Sequence, residues 1–69
     1  IPALLPADVK VAHKTGWSGD FFHDIGIVFP RNRKPYAISL FTHGFPEDKE
    51  REAHACMAQI SKIIYDEIL

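Results

Sequence analysis

The stretch Val9-Lys10-Val11-Ala12-His13-Lys14-Thr15-Gly16 decides how the rest of the chain is read. Its alternation has the two-residue period of a strand. Val9, Val11, His13 and Thr15 point one way, and Lys10, Ala12 and Lys14 the other. Gly16 is read as the end of that strand, at about residues 9–15, where the backbone can approach something else closely. A cation, a hydroxyl and a glycine beside exposed backbone N–H groups make a place where an anionic group can bind.

Working outward, the lead-in Ile1–Ala7 carries Pro2 and Pro6, which disfavour a helix. Leu4 and Leu5 are expected to anchor it to an apolar surface. After Gly16, the run Trp17-Ser18-Gly19-Asp20-Phe21-Phe22-His23-Asp24 reads as a loop, from its two glycines, its serine and its two aspartates. Its aromatics either fold back on the core or wall a cleft.

Residues 25–29 read as a second strand and 36–42 as a third. They are joined by the polar turn Pro30–Pro35, a solvated hairpin tip. Pro46 suits the first position of a helix, with Glu47, Asp48 and Glu50 in the first turn. Glu47 and Arg51 have the spacing of an ion pair. Ala53, Cys56, Met57, Ile60, Ile63, Ile64 and Ile68 recur at intervals of three and four, which predicts an amphipathic helix of about six turns. Cys56, on that stripe, is expected to be a buried small hydrophobe.

The fold class is therefore α+β, a three-stranded antiparallel meander with one long C-terminal helix. Strands two and three are apolar on both faces. Ile25, Ile27 and Phe29 oppose Val28; Ile38 and Leu40 oppose Ala37 and Phe41. One helix covers one face, so a further element is expected on the other.

Length and composition narrow the options. Sixty-nine residues make at most one small domain, and a chain this short buries only ~60% of its unfolded surface. One cysteine excludes an internal disulfide and a cysteine-based zinc site. A net charge of −1 with no extended basic run argues against nucleic acid. No apolar run approaches the ~20 residues of a membrane span. The chain opens Ile1-Pro2 without a Met, read as the loss of an upstream part, so a missing signal peptide says nothing of location.

Lys14-Thr15-Gly16 is also one of three motifs that mark serine β-lactamases and penicillin-binding proteins. The lead-in Leu4-Leu5-Pro6-Ala7-Asp8, the triplet, the hairpin and the final helix resemble, in order and spacing, the C-terminal end of class A β-lactamases. Ala12-His13-Lys14-Thr15-Gly16-Trp17 with His23-Asp24-Ile25-Gly26-Ile27-Val28 is more similar still to the class A-like serine hydrolases. The resemblance spans essentially all 69 residues but only part of a family domain, so residues 1–69 are read as the C-terminal α+β portion of an incomplete one.

The resemblance implies acyl transfer: a serine attacks the β-lactam carbonyl, and water releases the product from the acyl-enzyme. It implies that Lys14 supplies positive potential near the substrate carboxylate, that Thr15 hydrogen-bonds that carboxylate, and that Gly16 keeps the strand edge open. The backbone N–H of Trp17 is then one of two oxyanion-hole donors, a contact worth ~3–4 kcal/mol of barrier. No cofactor or metal is implied. A bacterial periplasmic or secreted location is.

Two departures stand out. Bulky Trp17 follows the triplet where many β-lactamases carry a small residue. Ser-x-x-Lys and Ser-Asp-Asn are absent from the chain, and Ser18, Ser39 and Ser61 have no such context. The chain alone is expected to hydrolyse nothing. A D,D-peptidase or other serine acyl hydrolase is the alternative, and so is a non-catalytic interaction module whose open sheet face binds a partner. The expected partners are a β-lactam or related acyl substrate, and either the rest of the hydrolase domain or a second copy.

Other residues invite chemistry more weakly. His13, opposite Lys14, reads as packed or hydrogen-bonded. His23-Asp24 has the look of a dyad, but sequence neighbours in a strand point apart. His13, His23, His43 and His54 match no compact zinc spacing.

Overall fold

The computed structural model describes residues 1–68. Three strands run β1 (Lys10–Ser18), β2 (Phe21–Phe29) and β3 (Tyr36–Thr42), followed by a short 3-10 turn, Glu47–Lys49. The helix α1 (Glu50–Ile63) then passes into a π-helical turn, Ile64–Ile68. The sheet order is β1-β2-β3, with both neighbouring pairs antiparallel. This is the α+β meander with a C-terminal helix that the alternation and the helical stripe predict.

The first hairpin differs from expectation. Gly16 does not end β1, and the expected loop over 17–24 shrinks to Gly19-Asp20, because Ser18 pairs with Phe21 and Trp17 with Phe22. Gly19 takes φ +57° while no other non-terminal residue of the loop has positive φ. A positive φ at the first of two loop residues matches the right-handed twist of the flanking strands, as in a type II′ turn. The second hairpin has the expected limits, with Pro30–Pro35 between the strands. At its tip Arg31 pairs with Asp8 at 2.9 Å in solvent, and Arg33 donates to the Tyr65 carbonyl at 2.9 Å.

The helix lies on the face formed by Phe22, Asp24 and Val28 of β2 and Ile38 and Leu40 of β3. One core cluster joins Ile1, Leu5, Val28 and Ile38; another joins Phe22, Ala53 and Met57. Leu5 is thus the anchor of the lead-in, and Leu4 stays largely exposed. Ser61, wholly buried, donates to the Ile1 carbonyl at 2.9 Å and fixes that lead-in to the helix.

Four helix expectations need correction. Pro46 precedes a 3-10 turn rather than opening the α-helix. Cys56 is exposed, and Ile60 and Ile63 are 40% and 53% exposed. The buried positions are Ala53, Met57, Ala58 and Ser61. The helix meets the sheet along a narrow line spaced four residues apart, so side chains to one side of it face water. Glu47 and Arg51 are not among the ion pairs of the described residues; Glu50 with His54 and Lys62 with Asp66 are.

The opposite sheet face carries no element among the described residues. Phe21, Ile25, Ile27, Phe29 and Phe41 lie on it, all more than 40% exposed.

Candidate functional site

The site is built on the outer edge of β1. A two-residue loop makes its flanking residues, Ser18 and Phe21, a hydrogen-bonded pair. Alternation then makes Trp17↔Phe22 and Thr15↔Asp24 non-hydrogen-bonded pairs, whose backbone groups point away from the facing strand. Since β1 is an edge of the sheet, the N–H and C=O of Thr15 and Trp17 face outward. Two side-chain contacts agree with this parity. The Lys14 ammonium donates to the outward Thr15 carbonyl at 3.0 Å. The Thr42 hydroxyl donates to the Phe22 carbonyl, turned toward β3, at 2.7 Å.

Lys14 and Gly16 lie on the open face, beside Ile25 and His23. Thr15 and Trp17 lie on the helix face. The triplet therefore converges at the strand edge and not on one face, with Lys14 curling back to reach it. Gly16 has a local reason. A Cβ there would meet Nε2 of His23 at 2.3 Å, so the imidazole uses the space a side chain would fill. His23 in turn leans on Phe41, with ring centroids 5.4 Å apart.

The loop aromatics divide. Phe22 is core, 3% exposed; Trp17 is 67% exposed and walls a recess of about 190 Å³ with Phe22, Glu47 and Glu50.

Beneath the edge sits a carboxylate whose importance the sequence reading missed. Asp24 is 2% exposed. It accepts from Nδ1 of His13, at 2.8 and 3.0 Å to its two oxygens, and from the Ile1 nitrogen at 2.8 Å. Burial pushes the Asp24 pKa up, but the hydrogen bonds from the Ile1 nitrogen and His13 outweigh it. The carboxyl ends below its ordinary value. His13 is hydrogen-bonded on the face opposite Lys14, as expected. His23 and Asp24 lie on opposite faces, which rules out a dyad between them. The signal for the true pair was the shared parity of His13 with Asp24 once β2 is allowed to start at Phe21.

Tyr36 is half-buried, with its hydroxyl oxygen enclosed. Its hydroxyl has no hydrogen-bond partner among the described residues, and burial raises its pKa, with Arg33 opposing and Tyr65 reinforcing. Among the described residues no three His, Cys, Asp or Glu side chains come together as a metal-binding group.

The three-stranded meander under a C-terminal helix carries Lys14-Thr15-Gly16 on its free edge. The chain belongs to the beta-lactamase enzyme family, whose profile matches residues 1–68. It is similar to the beta-lactamase BRO-1 of Moraxella catarrhalis, 35% identical over 65 residues, which are 88% of this chain and 21% of that protein. The chain thus spans about a fifth of the length of this curated relative. No solved structure matches it.

Proposed function

We propose that this chain is the C-terminal Lys-Thr-Gly wall of a serine β-lactamase-like acyl hydrolase. Lys14 supplies positive potential at the strand edge, and Thr15 hydrogen-bonds the substrate carboxylate. The outward N–H of Trp17 is one oxyanion-hole donor, while the nucleophile and its general base stand outside these residues. The observation that carries this reading is the parity of β1: a two-residue turn leaves the Trp17 N–H without a ladder partner, on the strand that bears Lys14. A preorganised N–H of this kind stabilises a developing oxyanion without reorganising during the reaction.

The bare sheet face supports the rest of the proposal. A patch containing Phe21, Ile25, Ile27, Phe29 and Phe41 is large for a soluble monomer. The rest of the hydrolase domain covers it; failing that, a second copy does. The chain alone is then inactive, and the assembled protein acts on a β-lactam or a related acyl substrate such as a D,D-peptide, in a bacterial periplasm or outside the cell. Neither a cofactor nor a metal enters this chemistry.

The test is the native mass of the protein under non-denaturing conditions, with a chromogenic β-lactam in parallel. Turnover, or a covalent adduct on a polypeptide assembled with this chain, supports the proposal. A monomer or homo-oligomer with neither makes the chain a non-catalytic interaction module.

A further inference from the structure

We infer that the His13–Asp24 pair positions the Lys14-Thr15-Gly16 edge, an inference that rests on the site reading above. The strand that carries the edge is held mainly by its pairing with β2. It has a neighbour on one side only, and among the described residues α1 packs on β2 and β3, not on β1. Val11 packs on the core nearer the strand's start. Beyond it, the contact from His13 to Asp24 is the one hydrogen bond, among the described residues, that joins a β1 side chain to another element.

The surroundings are built for that contact. Gly26 lies opposite His13. A Cβ on Gly26 would stand 2.6 Å from the Ala12 carbonyl oxygen and 2.7 Å from Cβ of His13. The missing side chain lets the imidazole cross above β2 and reach Asp24 on the diagonal. Asp24 lies directly opposite Thr15, and its side chain is 3% exposed. A buried carboxylate needs its hydrogen-bond donors kept in place, and His13 supplies one of the two that Asp24 has, reaching both of its oxygens. His13 is two residues before Thr15, and the hairpin turn begins four residues after it. The edge is thus held at both ends, by the imidazole and by the turn.

Two consequences follow. The neutral His13 ring carries its proton on Nδ1, since a carboxylate can only accept. Removing the ring loosens the edge that meets the substrate anion, which weakens substrate binding more than it slows the chemical step.

Steady-state kinetics of the intact protein with a chromogenic cephalosporin test this. For His13→Leu we expect KM to rise by about tenfold or more and kcat to stay within about threefold. For His13→Asn, whose amide N–H stands near the place of Nδ1–H, we expect KM within about threefold of the parent. Simple unfolding lowers apparent kcat through the active fraction and leaves KM alone, so the split separates the two roles. A ¹⁵N imidazole spectrum of the parent, at a pH where His13 is neutral, adds a readout that needs no variant: Nδ1 protonated and Nε2 bare. An active parent with unchanged KM in His13→Leu, no rescue by His13→Asn, or the reverse tautomer overturns the inference alone. A parent with neither turnover nor adduct removes the site reading and the inference with it.

Discussion

The carboxylate of Asp24, sealed in the core, accepts from Nδ1 of His13 at 2.8 Å across the place where Gly26 has no side chain. With the Ile1 nitrogen at 2.8 Å on its other side, this is the most buried charge in the described residues that bears on the strand edge. It gives the fold a definite acid response. The folded carboxyl lies below its ordinary value, and the unfolded one titrates near ~3.9. Its stabilisation is therefore complete above about pH 4 and is lost as pH falls through the lowered folded value. Urea midpoints at pH 7 and pH 3 should show the loss. Asp24→Asn should flatten that acid limb and lower stability at pH 7 by about 3 kcal/mol, through the partners left uncompensated.

Gly26 and Gly16 should respond differently to the same change. In Gly26→Ala the new Cβ meets a backbone carbonyl oxygen at 2.6 Å and the root of His13 at 2.7 Å, neither of which can swing away. A loss of about 1–3 kcal/mol is expected by thermal or urea unfolding. In Gly16→Ala the obstacle is the far end of the His23 ring, which rotates aside. That variant should unfold within about 0.5 kcal/mol of the parent, so any fall in activity reports on the edge itself.

Cys56 and Met57 are neighbours on α1 with opposite fates. Cys56 is exposed, so a thiol reagent should label it in the native protein without prior unfolding, and Cys56→Ser should change stability by no more than about 0.5 kcal/mol. Met57 is 2% exposed between Phe22 and Ala53. Met57→Ala should cost about 2–5 kcal/mol, and a cost near zero would mean the helix does not seat there.

Much of this was legible in the residues. The third strand was readable to its ends, because Pro35 before Tyr36 and His43-Gly44 after Thr42 bracket an alternating run. The bare second face followed from Ile25, Ile27 and Phe29 standing opposite Val28. The first hairpin was harder to read. Gly16 resembles a strand end but is a glycine because His23 needs its space, a cross-strand cause that no local pattern contains. Gly19-Asp20 is itself a two-residue hairpin signal, masked by the polar residues around it. Missing that turn hid the parity that turns the Trp17 N–H outward and brings Asp24 to His13. On the helix, a stripe of isoleucines and a cysteine suggested a wide apolar face, yet the sheet accepts a line of Ala53, Met57 and Ser61. Periodicity gives the side of a helix that faces inward, not how wide the contact is.

The central claim is that the Trp17 backbone N–H acts on the substrate, and Trp17→Pro tests it most directly. Proline removes that N–H on an edge strand where no ladder bond depends on it, so the fold should survive by circular dichroism. The intact protein should then lose about 10²–10³ in kcat on a chromogenic β-lactam, while Trp17→Ala, which keeps the N–H, should lose far less. A folded Trp17→Pro variant with the parent's kcat would contradict the account.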